Sequence, residues 1–161
     1  MALVVETGSV IEGANSYVSL ADANQYLQDR GITTVLTEGQ LLRGADYINS
    51  FRTRFKGYKQ TNVLSNMQWP RAFAVIDDYL INSDVIPAVI PDAQIQAALE
   101  IALDRDPHET TSTRPIKREK LDVLEIEYDT QAGRYVPDYE YRKVDDLLRP
   151  LFKNTGMRLS R

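Results

Sequence analysis

The sequence predicts a mainly α fold: a four-helix bundle-like domain with a protruding extended strand or β-hairpin and a mobile C-terminal tail. Apolar residues recur at helical spacing in four separate stretches, alternation is confined to a short segment near Ile116–Tyr128, and the last eight residues offer little to bury. At 161 residues the chain is long enough for one core and too short for two substantial domains. The expected division is an N-terminal arm (1–18), a helical core (19–105), a linker with the strand or hairpin (106–137), a C-terminal helix (138–153) and a tail (154–161).

The arm opens with a β-branched run, Leu3–Val5, punctuated by Gly8, Gly13, Asn15 and Ser16. Ser19 is an N-cap with Asp22 three residues on; Leu20, Ala23 and Leu27 keep helical spacing, and Gly31 supplies the stop, so a first helix spans about 19–30. Thr37 and Gln40 form a capping box ahead of Leu41, Leu42, Ala45 and Ile48, which share one face of a second helix reaching roughly Phe55. Arg52, Arg54 and Lys56 then fall at its C-terminal end, where cations complement the helix dipole.

Periodicity fails from Tyr58 to Pro91, and the Asn, Ser and Pro residues there predict a long irregular connection. Pro91 at N1 and Asp92 in the first turn start a third helix with the stripe Ile95, Ala98, Leu99 and Ala102. Ala93, Ala97 and Ile101 lie off that stripe, which predicts a helix buried on more than one side. Residues 108–115 form a polar linker. Leu121 and Val123 then alternate within a strand or hairpin, with a bulge expected near Leu124. Val144, Leu147, Leu148 and Leu151 mark the last helix, acidic at its start near Asp138 and basic at Arg149 and Lys153.

Composition narrows the chemistry. The chain has no cysteine, so disulfides, thiolate metal sites and cysteine nucleophiles are excluded. Its opening lacks a basic n-region and a long apolar core, and no apolar run approaches a membrane span, which predicts a soluble, uncleaved chain without membrane association. His108-Glu109 begins like a zinc-protease motif, but position 112 is Ser; a solvated linker imidazole is the plainer reading. Glu100 and Asp104, four apart, could share a cation or simply form a polar stripe. Asp77-Asp78 and Asp145-Asp146 are adjacent pairs whose side chains diverge, unlike a glycosidase dyad. Phosphate loop and nucleophile elbow are both missing. The expectation is a protein without enzymatic activity, metal or cofactor.

Charge, by contrast, is segregated. Residues 47–76 hold no acid, five cations (Arg52, Arg54, Lys56, Lys59, Arg71) and six of the fourteen aromatics. Removing those five positive charges from a formal net charge of -4 leaves -9 for the rest. One reading is a single-strand nucleic-acid surface, with Phe51, Phe55, Tyr58 or Trp69 stacking bases and the cations tracking phosphates. The other is packing plus a protein interface: Phe51 and Phe55 are four apart, a lone Trp beside Pro is commonly a core anchor, and an acidic chain with pI near 5.0 repels a polyanion. The second is favoured, with Phe51, Phe55 and Trp69 as core anchors. Arg52, Arg54, Lys56, Lys59, Arg149, Lys153, Arg158 and Arg161 are then expected at a boundary with another subunit or protein.

An ordered set of short motifs also resembles a known family. It comprises Gly13-Ala14-Asn15-Ser16-Tyr17-Val18-Ser19 with Ala21-Asp22-Ala23, Ala45-Asp46-Tyr47-Ile48, Gln68-Trp69-Pro70-Arg71, Ile86-Pro87, Ile116-Lys117-Arg118-Glu119 and Ile126-Glu127-Tyr128. Together they resemble the head-tail connector (neck) adaptors of tailed phages, a family often labelled DnaT-like single-stranded-DNA-binding proteins. The resemblance implies a helical bundle assembled as a ring, commonly twelvefold, under the portal protein of the filled head. There it would continue the channel for genomic DNA and dock the downstream tail or tail-completion protein. It implies a place in the virion neck, and in the host cytoplasm during assembly, with no catalytic residues. The alternative it carries is a replication-type, DnaT-like single-strand binder.

Overall fold

The fold is mixed α/β rather than a four-helix bundle. A computed structural model describes residues 2–60, 67–105 and 142–153, and the backbone of 118–121 and 124–127. Four α-helices are present among these residues: α1 (Leu20–Asp29), α2 (Glu38–Ser50), α3 (Val89–Ala102) and α4 (Arg142–Leu148), the last running into a 3-10 turn at Arg149–Leu151. Between them lie three two-stranded antiparallel sheets: β1 (Tyr58–Lys59) with β2 (Arg71–Ala72), β3 (Val75–Ile76) with β4 (Tyr79–Leu80), and β5 (Arg118–Leu121) with β6 (Leu124–Glu127).

Local signals set the helix ends. Ser19 accepts from the Asp22 N–H to cap α1, and Gly31, at φ +71°, takes the left-handed turn that ends it. Thr37 and Gln40 close a reciprocal capping box on α2. Helix α2 stops at Ser50, short of the expected Phe55. The Phe51 N–H turns back to Ile48, and Phe55 leaves the helical path to pair with Phe152 in an isolated antiparallel bridge. Arg52, Arg54 and Lys56 therefore lie beyond the last turn, and the helix-dipole account of their position is corrected.

Helix α3 is the centre. It packs on α2 at one side and α4 at the other, and Ile90, Ala93 and every residue from Gln94 to Leu99 are buried, as its apolar residues on several sides predict. It starts at Val89, so Pro91 sits inside the first turn rather than at N1. Gly44 makes the close approach of α2 possible: a Cβ there would stand 2.8 Å from the Gln94 carbonyl oxygen. One core cluster joins α1, α2 and α3 through Leu27, Leu41, Ile95 and Ala98; a second gathers Ile48, Phe55, Trp69, Ile90, Leu148 and Leu151.

Within the segment expected to be irregular, the described residues form two small antiparallel pairs, β1–β2 and β3–β4, and 81–88 lie outside any helix or strand. Asp77 and Asp78 both have positive φ, +48° and +67°, which is the backbone of a two-residue type I′ hairpin turn, and Ile76 pairs with Tyr79 across it. The β5–β6 pair keeps continuous register from Arg118↔Glu127 to Leu121↔Leu124, so the hairpin is present and the expected bulge near Leu124 is not. The expected linker at 106–117, the start of the last helix at 138–141 and the tail at 154–161, with His108, Arg158 and Arg161, lie outside the described residues.

A candidate interaction face

Two of the segments that carry the family resemblance, Gly13–Ser19 and Gln68–Arg71, meet inside the molecule. The Tyr17 hydroxyl donates to Asn49 Oδ1 at 2.7 Å and accepts from the N–H groups of Gln68, at 2.9 Å, and Trp69, at 3.3 Å. Its own N–H donates to Gln94 Oε1, and Gln94 Nε2 donates to Ser16 Oγ and the Leu41 carbonyl. Burial pushes the Tyr17 phenol well above the ordinary tyrosine range. Glu6, also buried, accepts the N–H groups of Gly8, Val10 and Ile11, which ties the arm into a closed loop.

Arg71 is part of this interior. It is only 5% exposed, and its guanidinium donates to three backbone carbonyls: Lys56 and Gly57, just ahead of β1, and Gln68, just ahead of β2. Burial lowers its pKa, and three carbonyl acceptors offset the cost of taking the charge out of water. One of the five cations of the 47–76 segment is thus a clamp rather than a surface charge. Trp69 and Phe55 are fully buried and meet edge to face at 5.9 Å, while Phe51 is half-buried.

The remaining cations converge. Because Phe55 bridges Phe152, the Lys56 N–H donates to the Leu151 carbonyl, the Lys153 N–H to Arg54, and Lys153 Nζ to Thr53. Arg54 lies over the Phe152 ring at 4.1 Å and the Phe51 ring at 5.0 Å. Burial, and after it the charges of Arg52 and Arg71, lowers the Lys59 pKa. Arg149 is held by Asp146 at 3.3 Å. Two basic segments that are some hundred residues apart in sequence therefore form one patch.

The structure also exposes large apolar side chains that the sequence reading largely missed. Tyr58, Phe73, Tyr79 and Leu80 are between 64% and 76% exposed, all on or next to the two hairpins. Only Tyr58 had been singled out. The signal for the rest was the Ile76-Asp77-Asp78-Tyr79 run, an Asp-Asp turn between apolar residues. Phe73 also holds a left-handed backbone, φ +57°, which for a non-glycine residue costs on the order of 1–3 kcal/mol. A bulky apolar side chain held outward by a strained backbone is unusual on a monomer surface.

Glu100 is engaged by Arg105 at 3.1 Å, and among the described residues no group of three potential metal ligands converges. No helix of the described residues is long and apolar enough to cross a membrane.

These features define a small mixed α/β protein with an internal polar knot and with basic and apolar side chains exposed on its surface. Residues 1–161 match the family described as "Putative DnaT-like ssDNA binding protein", and the chain belongs to that family. No curated protein and no solved structure matches the chain.

Proposed function

We propose that the chain is a structural, non-enzymatic adaptor of the tailed-phage neck, assembling as a ring, twelvefold in the commonest form, between portal and tail and continuing the DNA channel. One observation carries this: Phe73, Val75, Tyr79 and Leu80 are all exposed, and the turn that joins β3 to β4 between them is Asp77-Asp78, both exposed. Aliphatic and aromatic side chains around an acidic turn suit a protein surface, whereas a phosphate backbone is repelled by it. The net charge of -4 acts the same way, and a duplex in transit is not held by an acidic wall. The cationic patch supplies the opposite edge that a head-to-tail contact requires.

The second reading, single-strand nucleic-acid binding, has the family description on its side, which speaks for it more directly than for a neck adaptor. It also has Tyr58 and Phe73 exposed, with Arg52 and Arg54 exposed in the same stretch of sequence. A salt-dependent titration with a labelled single-stranded oligonucleotide separates the two. The adaptor reading expects no micromolar binding at physiological salt; such binding with a steep salt slope would replace it with the second reading.

A further inference from the structure

The β3–β4 hairpin is apolar on both of its faces. Val75 pairs with Leu80 and Ile76 with Tyr79, and the Ile81 N–H donates to the Ala74 carbonyl, which carries the antiparallel pairing one step further from the turn. Alternation then puts Ala74, Ile76 and Ile81 on one face and Val75 and Leu80 on the other. The first face is the root: Ala74 is buried, and Ile76 and Ile81 pack against the core. On the second face Val75 is 39% and Leu80 64% exposed. A hairpin with one solvated face ordinarily carries polar residues there, so an apolar outer pair marks a face that is covered in the assembled state.

Charge selects what covers it. The turn beside the outer pair is Asp77-Asp78, both exposed. The opposite sign stands at the Phe55–Phe152 bridge, where the Lys153 N–H donates to the Arg54 carbonyl and Lys153 Nζ to the Thr53 carbonyl. Arg54 is held there over the Phe152 and Phe51 rings, so two exposed cations adjoin the half-buried Phe51. Among the described residues none of Arg54, Lys153, Asp77 and Asp78 enters a salt bridge, and both sets of charge are open to a partner. Two hairpins set face to face would oppose carboxylate to carboxylate, which disfavours a contact of the hairpin with its own copy.

We infer that the Val75–Leu80 face and the Asp77-Asp78 turn of one copy dock on the Arg54–Lys153 patch of a second copy, giving a heterologous head-to-tail contact. The inference rests on the ring-forming adaptor reading and deepens it by naming the two edges. Apolar carbon with acids meets aromatic carbon with cations, and the contact repeats from copy to copy, closing into a ring when its rotation allows.

The test is sedimentation velocity on the full chain up to several hundred micromolar, at low and at high salt. Four preparations are compared: wild type; Asp77→Lys with Asp78→Gly, which reverses the turn; Arg54→Glu with Lys153→Glu, which reverses the patch; and an equimolar mixture of the two variants. The wild type is expected to self-associate at low salt and to dissociate as salt is raised. Each variant alone is expected to stay monomeric with its melting temperature retained. The mixture is expected to associate again, because each variant's turn then meets a patch of opposite charge. If the turn variant does not fold, Asp77→Asn with Asp78→Gly replaces it, since Asn-Gly suits a type I′ turn, and self-association about tenfold weaker than wild type is expected. Wild-type protein that stays monomeric throughout, a variant that associates like wild type, or a mixture that stays monomeric would each overturn the inference. Self-association that persists in a chain unable to bind portal would remove the neck reading and leave this contact standing.

Discussion

Phe55 and Phe152 form an isolated antiparallel bridge with their rings 5.4 Å apart, and this single pairing joins the basic 52–59 segment to the end of the 3-10 turn after α4. Phe55→Ala removes a fully buried ring and is expected to destabilise the protein by about 3–5 kcal/mol in urea unfolding. Phe73→Gly should do the opposite, staying neutral or gaining up to about 1 kcal/mol, since it loses an exposed ring and relieves a left-handed backbone.

Arg71→Met leaves the carbonyls of Lys56, Gly57 and Gln68 without their donor. The expected loss is about 2–4 kcal/mol by the same unfolding measurement, with Arg71→Lys recovering only part of it, because an ammonium cannot reach all three carbonyls as the planar fork does.

Tyr17 predicts an alkaline dependence. Its folded-state pKa is raised above the ordinary value of 10.0, so the neutral phenol's contribution is complete below pH 10 and is lost as pH climbs beyond it. Stability of the wild type should fall above pH 10 by up to about 1.4 kcal/mol per pH unit from this group, and the Tyr17→Phe variant should lack that component. At neutral pH the same variant costs about 1–3 kcal/mol, because the buried Trp69 N–H loses its acceptor and the Gln68 N–H keeps only its longer bond, 3.2 Å, to Asn49 Oδ1.

Gly44→Ala is expected to destabilise by roughly 1–3 kcal/mol despite better helix propensity, since its Cβ would meet the Gln94 carbonyl oxygen at 2.8 Å and the Ala98 nitrogen at 3.2 Å. Thermal unfolding reads this directly.

The helices were legible where a local signal fixes them: Ser19, Thr37 with Gln40, Gly31, and the all-round apolarity of α3. The end of α2 was not, because Phe55 is drawn away by a partner almost a hundred residues on, which no local spacing encodes. The two small hairpins were hidden for a similar reason. Strands of two residues carry no alternation to detect, and the turn that defines β3–β4 is written in Asp-Asp rather than the commoner Asn-Gly. Of the candidate face, the cations were legible as a charge imbalance. That Arg71 belongs to the interior was not, because its acceptors are backbone carbonyls, invisible in a list of side chains.

Mass measurement of the intact chain with and without its cognate portal tests the central claim most directly. The account predicts a ring-sized mass of chain on the portal, lost when charges are reversed at Arg52 and Lys56 and unchanged by added single-stranded oligonucleotide. A chain that ignores the portal and instead binds the oligonucleotide would contradict it.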